Sequence, residues 1–462
     1  MVVYFSTRSS FVFCFILLCI AVFPYALIAD NHPNRNSGVL DEMALIIPQH
    51  FWGLDLKSDH LINTMDGVHL ENLSEKKNTI KSVHGFSKEF NEAVRWLDDK
   101  AHLMIRDSQR VTSSGIHAFP PQVGSGYEAF WLRDYEYMLE GRIESFTDKE
   151  LRDACIFFVN GQRKDGAMVD CIKFDGTPIY MPGYGTMGEN PVADGSQFCV
   201  GVAWHTWQKL KDDQLVKQII DALVLGMKAI PINPQTQLVW INPDSEWDRC
   251  PYGFTDSVRK KGDLLFCSLL YVQASRQLSD LLEVADYSEE EVAFWKRKAK
   301  EVSQAIRTTL WNPEIGLFRG ATVHCTQPDV WGSAFAVYLD VADDKQSMSI
   351  ANYFEANYSG LVKRGQVRHT PSATYWDQAC GQETYQNGAY WGTPVGWFVY
   401  TLSLVSPQLA EKTVLDMVED FQENGVNECV NDNGYRNVQN YVDSAVLPLA
   451  GIKAMIEKRE DQ

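Results

Sequence analysis

The sequence lacks several features that mark other classes of protein. It has no C-x-x-C pair among its 10 cysteines, so a thiolate zinc site is not expected, and it has no EF-hand spacing for calcium. It has no repeat of fixed length, which argues against a short-unit solenoid, and no Asp-x-Asp-Asp run of the terpene-cyclase kind. Convincing β-hairpin signals are few. We therefore expect a mainly helical protein with no metal and no other cofactor.

Positive charge is also in short supply. The chain has 42 Lys and Arg against 60 Asp and Glu, which gives a formal net charge of -18. Such a chain is a poor partner for nucleic acid, and a neutral or cationic ligand suits it better. Its 462 residues are 45% hydrophobic, which excludes collagen-like, low-complexity and wholly disordered classes and allows a large core.

The first 29 residues have the pattern of a secretory signal. Arg8 precedes an apolar run from Phe11 to Ala29, and Pro24 interrupts that run, which argues against a full bilayer span. Cleavage is the favoured interpretation, and an uncleaved signal-anchor is the alternative. We expect a secreted protein or one of the secretory lumen, in contact with a membrane only if this segment is retained.

The rest of the chain divides into two parts. Residues 30–83 are polar and predict an N-terminal extension, and residues 84–462 predict the main folded domain. Asn72 and Asn357 stand in sequons, as in a glycoprotein. Eight cysteines outside the signal permit disulfides without defining their pairing. They are Cys155, Cys171, Cys199, Cys250, Cys267, Cys325, Cys380 and Cys429.

From residue 84 onward, apolar residues recur mostly at helical spacing, which predicts twelve helices. Short and long connections alternate between them. Short links make antiparallel hairpins, so all the long loops fall at one end. The prediction is an all-α protein, an (α/α)6 toroid of six helical hairpins. The helices are expected at 87–105, 127–143, 148–161, 194–210, 213–229, 262–284, 288–311, 328–340, 344–357, 391–404, 407–424 and 440–457.

The first two long loops contain residues suited to holding sugar hydroxyls. Trp131, Arg133 and Asp134 crowd one helix start, where a carboxylate accepts and a guanidinium donates hydrogen bonds. An ordinary ion pair at the helix entry is the alternative. In the second loop, Asp194 and Gln197 are the better candidates for ligand contact.

The third long loop mixes acids with aromatic rings, in "SEWDRCPYGFTDS". Beside a ring such as Trp247, a carboxyl group is desolvated, and this favours its protonated form and the role of a general acid. Asp248 is the candidate. In the alternative interpretation it pairs with Arg249 or caps a turn.

The later loops add aromatic residues and another acid. Rings that can stack on a pyranose face are Trp331, Trp376, Tyr385, Tyr390 and Trp391, with Asp329, Arg368 and Gln382 as hydroxyl partners. The last long loop brings Glu428 to the same end as Asp248. Two carboxyl groups across one pocket suit hydrolysis of a glycosidic bond. Glu383 is the reserve base and a further substrate contact, and Glu246 or Asp256 is the reserve acid.

Five segments together resemble the six-hairpin glycosidases, the group of trehalases, processing α-glucosidases, amylo-1,6-glucosidases and α-L-rhamnosidases. They are "FWLRDYEYMLEG", "SEWDRCPYGFTDS", "LWNPEIGLF", "NGAYWGTPVGWFVYTL" and "NGVNECVNDNG" followed by "NYVDSAVLPLAGI". The resemblance implies an inverting glycoside hydrolase. Six converging loops tend to form a pit, so we expect exo action on an oligosaccharide or glycoconjugate. It assigns Asp248 as general acid, Glu428 as general base, and Arg133 and Asp134 as substrate-holding residues.

Other functions remain open from the sequence. A polysaccharide lyase on the same toroid would use Tyr or His and a basic cleft, and His324, His369, Arg364 and Arg368 lie in long loops. A phosphorylase would need a phosphate site, and no basic cluster replaces Glu428. A binding protein would keep the aromatic residues and lose the acid pair. The sequence does not give the sugar, the anomer or the oligomeric state.

Overall fold

A computed structural model of the protein describes residues 85–180, 192–244 and 257–460. The predicted signal at 1–29 and the predicted N-terminal extension at 30–83 lie outside this described part. The helices, in chain order, are α1 Lys88–Ser108, α2 Leu132–Arg142, α3 Asp148–Asn160, α4 Gly195–Leu210, α5 Asp213–Ala229, α6 Leu265–Val284, α7 Glu289–Ala305, α8 Val330–Tyr338, α9 Asp344–Ala356, α10 Tyr358–Leu361, α11 Val395–Leu402, α12 Pro407–Asn424, α13 Asp443–Val446 and α14 Pro448–Glu460.

Six of these helices form a closed inner ring. Helix α2 packs on α4, α4 on α6, α6 on α8, α8 on α11, α11 on α14, and α14 on α2. Helices α1, α3, α5, α7, α9 and α12 lie outside the ring and alternate with the inner helices along the chain. The prediction of an all-α (α/α)6 toroid of six hairpins is confirmed.

The helix ends follow local capping chemistry. Thr147 and Glu150 form a capping box at the start of α3, and Asp343 and Gln346 form another at the start of α9. Ser288 caps α7 through a hydrogen bond from the Glu291 amide to its hydroxyl. These caps satisfy amide groups that the first helical turn leaves unpaired.

Short strands occupy the long connections. They are β1 Arg110–Val111, β2 His117–Ala118, β3 Ala129–Trp131, β4 Cys171–Lys173, β5 Pro178–Ile179, β6 Trp240–Ile241, β7 Gly262–Asp263, β8 Trp311–Asn312, β9 Leu317–Phe318, β10 Val362–Lys363, β11 Gln366–Arg368, β12 Tyr390–Trp391, β13 Asn427–Val430 and β14 Arg436–Gln439. Strands β10 to β14 form one antiparallel sheet in chain order. We call the end of the toroid that carries these connections the loop end.

Several helix predictions differ from the structure at their ends, and two of these differences have local causes. The second helix was expected from residue 127, but it begins at Leu132 because β3 pairs with β4 just before it. The last expected helix is divided into α13 and α14, and Pro448 begins the second part. Proline lacks the amide that would continue the helical ladder, so it suits a helix start.

The core fills the space within and around the inner ring. Its largest buried side chains include Trp295, Trp397, Tyr135 and Tyr137. Helices α11 and α14 approach closely at Gly396 and Gly451, where an added Cβ at Gly451 would lie 2.2 Å from the Gly396 carbonyl oxygen. Among the described residues, no helix is both long and apolar enough to span a membrane, and no disulfide joins two of the described cysteines.

Candidate active site

Glu428 lies on β13, inside the five-stranded sheet at the loop end. The neighbouring Cys429 pairs with Trp391 of β12 on one side and with Asn437 of β14 on the other. The Glu428 side chain is therefore carried by a strand with partners on both edges, and the residue is only 1% exposed. A residue on such a strand is held more firmly than one on a free loop.

Three side chains from three parts of the chain donate hydrogen bonds to the Glu428 carboxylate. The Tyr127 hydroxyl lies 2.9 Å and the Tyr385 hydroxyl 3.3 Å from Oε1. The Asn437 Nδ2 lies 2.7 Å from Oε2. Donors to both oxygens fix the plane of the carboxylate, which is the requirement for a base or nucleophile that must act in one direction.

The backbone around this carboxylate is strained. Glu383, Tyr385, Val438 and Asn440 all have positive φ angles, of 62°, 42°, 38° and 58°. Such angles are costly for residues other than glycine and cluster at functional sites. The strain falls in the two segments that carry Tyr385 and Asn437, which both donate to Glu428.

Arg133 and Asp134 lie in the first turn of α2 and are buried. Arg133 Nη1 donates to Asp170 Oδ1 at 2.9 Å, and its Nε lies 3.5 Å from Asp134 Oδ2. The Tyr441 hydroxyl donates to Asp134 Oδ1 at 3.0 Å. Asp170 and Tyr441 are thus the hydrogen-bond partners that the structure adds to the predicted pair of Arg133 and Asp134. The role of Arg133 and Asp134 in holding substrate stays a prediction.

Asp443 forms a carboxyl pair with Asp134. It has no exposed surface, and within the described part of the chain its two oxygens receive no hydrogen bond from an ordinary donor. Burial, followed by the negative charge of Asp134, raises the pKa of Asp443 well above its usual range. Two adjacent carboxyl groups share one proton. This carboxyl pair therefore holds its proton more tightly than an isolated aspartate does.

Glu383 is a second carboxylate near Glu428 and is more open to solvent. Its side chain is 42% exposed, and Arg368 Nη1 lies 3.4 Å from its Oε1. Burial alone would raise the pKa of Glu383, but hydrogen bonds from Tyr375 and Asn431 and the charge of Arg368 lower it below its usual value. Glu383 is thus a charged group beside the candidate base.

The predicted aromatic residues differ in their surroundings. Trp131 is partly exposed, and the Arg133 guanidinium lies 5.6 Å from the centre of its ring. Trp391 and Trp376 are 0% and 3% exposed. Trp391 donates to the Tyr385 carbonyl at 3.0 Å, so its observed contact supports the segment that bonds Glu428.

Behind this site lies a buried charged cluster of Lys260, Asp329 and His369. Lys260 Nζ lies 3.3 Å from Asp329 Oδ2, and His369 Nε2 lies 3.3 Å from Asp329 Oδ1. Burial lowers the pKa of His369 to about 4, against the raising effect of Asp329. The imidazole stacks on Trp331 with ring centres 3.8 Å apart. Asp329 also caps α8 through the Gly332 amide, so the cluster stabilises a helix start.

The acid loop lies outside the described residues. Glu246, Trp247, Asp248 and Asp256 fall within 245–256, so the separation between Asp248 and Glu428 stays a prediction. In the parts of the chain that are described, no group of three or more His, Cys, Asp or Glu side chains is placed to hold a metal ion.

Sequence reasoning missed three residues of the site. Tyr127 lies just before β3, and Asn437 lies on a strand that no alternation of polar and apolar residues indicates. Asp443 stands in "NYVDSAV", where an acid before a short helix is typical of a solvated cap. The last two lie within 15 positions of Glu428, which is the one signal that could have directed attention to them.

The fold is shared with known glycosidases. A rhamnosidase from Klebsiella oxytoca with rhamnose bound matches with a TM-score of 0.56 and 14% identity over 78% of this chain, and the match spans 63% of that enzyme's chain. The GH63 mannosylglycerate hydrolase from Thermus thermophilus matches in its complex with Tris, with a TM-score of 0.57, 14% identity and 77% of this chain against 99% of its own.

The same hydrolase in complex with glucose matches with a TM-score of 0.56 and 16% identity, over 77% of this chain and 99% of its own. These neighbours are six-hairpin glycosidases, and at this identity the likeness establishes the fold. No family model matches the chain. No curated protein matches it either.

Proposed function

We propose that this chain is a glycoside hydrolase, with Glu428 as general base and Asp248 as general acid of an inverting reaction. The observation that carries the proposal is the Glu428 carboxylate held by Tyr127, Tyr385 and Asn437 at the loop end of a glycosidase fold. The substrate class that we infer is an oligosaccharide or glycoconjugate, cut from its end by a pocket that the converging loops form.

The chemistry assigns a separate task to each carboxyl group. Asp248 would protonate the departing glycosidic oxygen, and Glu428 would take a proton from a water molecule as that water attacks the anomeric carbon. This requires the two groups about 6.5 to 9.5 Å apart, whereas a retaining enzyme holds them about 5 to 5.5 Å apart. The hydrogen bonds to Glu428 hold its lone pairs in a fixed direction for the water.

The neighbouring groups suit the same reaction. Arg133 is buried and oriented by Asp170, so its guanidinium can be held ready for sugar hydroxyls without large loss of side-chain entropy. Glu383, charged and partly exposed, can accept hydrogen bonds from a sugar. The rhamnose and glucose bound by structural neighbours support monosaccharide units of this size as first candidates.

A lyase mechanism has less support from the described residues. His369 is 1% exposed, stacks on Trp331 and lies next to Asp329, so it is committed to the buried cluster. Arg368 contacts Glu383, and Arg364 contacts Asp420.

We also propose that the chain enters the secretory route, as residues 1–29 indicate.

The test is hydrolysis by the full chain produced in a secretory host. A panel of α- and β-glycosides of glucose, mannose and rhamnose would be assayed with the wild type, Glu428→Gln and Glu423→Gln, an exposed control on α12. We expect sugar release that falls at least about 10³-fold in Glu428→Gln, because loss of a general base removes proton transfer. Unchanged release in Glu428→Gln would refute the assignment.

A further inference from the structure

A cavity lies at the end of the toroid opposite to Glu428. Its volume is about 540 Å³, and side chains of α2, α4, α6, α8 and α14 line it. Helix α2 runs from the loop end to this cavity, with Asp134 in its first turn and Glu140 in its last. Six residues of helix separate these two carboxyl groups by about 9 Å along the axis. We call this space the distal cavity.

The basic side chains of the distal cavity are already engaged by helix ends. Arg276 Nη1 donates to the Leu339 carbonyl at 2.6 Å, just after α8. Lys453 Nζ donates to the Gly141 carbonyl at 2.8 Å, in the last turn of α2. Helix C-termini carry partial negative charge, which attracts such cations. The helix C-termini that Arg276 and Lys453 contact therefore offset part of their positive charge.

The acidic side chains retain acceptor capacity. Glu140, Asp280, Asp340 and Glu457 all line the cavity. Glu140 accepts a bond from the Tyr338 hydroxyl at 3.0 Å, and Asp280 accepts one from Trp204 Nε1 at 3.1 Å. A carboxylate can accept about four hydrogen bonds, so both can accept more from a ligand.

Burial makes a negative charge on Glu140 costly. Burial, and then the charge of Glu136 one turn away, raises the pKa of Glu140 to about 7, although His205 and Tyr338 oppose the change. His205 Nε2 is buried, makes no hydrogen bond among the described residues and lies 3.4 Å from Glu136 Oε1. A bound cation would stabilise the ionised form of Glu140 that burial disfavours.

The size and walls of the cavity indicate an organic ligand. Sites for small molecules commonly measure about 300 to 1,000 Å³, far more than one metal ion needs. The rings of Trp204 and Tyr338 form part of the wall, and aromatic faces attract organic cations. Gln273 and Gln277 add neutral donors and acceptors.

From these features we propose that the distal cavity binds a small organic ammonium compound, a primary amine or diamine. Glu140 and Asp280 would accept its N–H donors, with Trp204 and Tyr338 beside its carbon chain. This site is separate from the proposed glycosidase site, so binding here does not depend on catalysis at Glu428.

The test is calorimetric titration of the full chain with putrescine, a four-carbon diamine, and with 1,4-butanediol as its uncharged counterpart. We expect saturable binding of putrescine and none of the diol. Glu140→Gln keeps the shape of the side chain and should weaken putrescine binding at least tenfold. Glu355→Gln, which makes the same charge change at an exposed position of α9, should leave binding unchanged.

Two further variants keep the result interpretable. Asp280→Asn tests the second carboxylate and should also weaken putrescine binding. It serves as the test in place of Glu140→Gln if thermal melting shows that Glu140→Gln does not fold. Glu428→Gln should bind putrescine like the wild type. No saturable binding of putrescine, or binding that Glu140→Gln and Asp280→Asn leave intact, would overturn the proposal. Binding lost in Glu428→Gln alone would place the amine at the loop end and overturn it equally.

Discussion

Tyr127 and Glu428 are 301 positions apart in the chain, and the Tyr127 hydroxyl donates a 2.9 Å hydrogen bond to Glu428 Oε1. The first precedes β3 in the first long connection, and the second lies on β13 in the last. Closure of the inner ring between α14 and α2 brings these connections together. The toroid therefore assembles its candidate base from the two ends of the domain.

Tyr127→Phe tests this contact. The variant keeps the ring and removes the hydroxyl, so Glu428 loses one of the bonds that orient it. A hydrogen bond to a charged group contributes about 1.5 to 3 kcal/mol, which corresponds to about a 10- to 100-fold fall in kcat/KM. The measurement is steady-state hydrolysis of the best substrate from the panel.

The matched control for this variant is Tyr353→Phe. Tyr353 is a half-buried tyrosine on α9, away from Glu428, and its variant should hydrolyse like the wild type. If Tyr127→Phe retained full kcat/KM, the Tyr127 bond would have no part in catalysis.

Asn437→Asp places a second carboxylate beside Glu428. The Asn437 Nδ2 now donates to Glu428 Oε2 at 2.7 Å, and replacing it with an anion exchanges a favourable contact for repulsion. Like charges this close raise the pKa of a carboxyl group. We expect the acidic limb of the pH profile of kcat/KM to move to higher pH by about one unit or more. A profile that keeps its acidic limb would contradict the role of Glu428 as a base.

Asp443→Asn tests the shared proton of the carboxyl pair. The pKa of Asp443 is raised in the folded chain, so above about pH 4 the folded state keeps a proton that the unfolded state releases. The contribution of this group to the free energy of unfolding therefore falls as pH rises, by up to about 1.4 kcal/mol per unit. Asparagine does not titrate, so the variant does not lose this part of the free energy of unfolding as the pH rises.

The measurement for Asp443→Asn is urea unfolding from pH 4.5 to 7.5. The free energy of unfolding of the variant relative to wild type should increase by about 1 to 3 kcal/mol across this range. Asp107→Asn, at an exposed position near the end of α1, should show no such trend. A constant difference between Asp443→Asn and wild type would mean that Asp443 is charged throughout.

Lys260→Met tests the buried cluster behind the site. Lys260 and Asp329 are 1% and 0% exposed, so the variant leaves a buried carboxylate without its ammonium partner. Breaking a buried pair in this way costs about 3 to 5 kcal/mol of unfolding free energy, measured by urea denaturation at pH 7. Lys217→Met, which breaks a solvent-exposed pair with Asp286, should cost less than about 1 kcal/mol. An equal loss in the two variants would contradict this account.

Periodicity in the sequence predicted the outer helices because each buries one apolar stripe, whereas inner helices such as α6 and α8 are buried on nearly all faces and are indicated by their long apolar runs. It did not predict β13 or β14, since strands of four residues are too short to show alternation. Lys260 stands in the charged run "RKKGD", which is typical of a solvated surface, and only the tertiary structure buries it. The distal cavity was not predicted, because all the candidate site residues came from the long loops at the other end of the toroid.

Composition identified aromatic residues without distinguishing their surroundings. Trp131 and Trp391 both end short strands at the loop end, but Trp131 is partly exposed and Trp391 is in the core. The difference comes from strand pairing, which buries β12 between β11 and β13. Glu428 could be predicted from its place before the last helix, but its hydrogen-bond donors could not, since Tyr127 and Tyr385 are distant in sequence.

The measurement that tests the central claim most directly is proton NMR of the first product formed by the wild type from an anomerically pure glycoside. The account predicts a free sugar of inverted configuration in the earliest spectra, and no such signal with Glu428→Gln under the same conditions. A first product of retained configuration, or an unsaturated sugar from elimination, would contradict the assignment of Glu428 as the base of an inverting hydrolase.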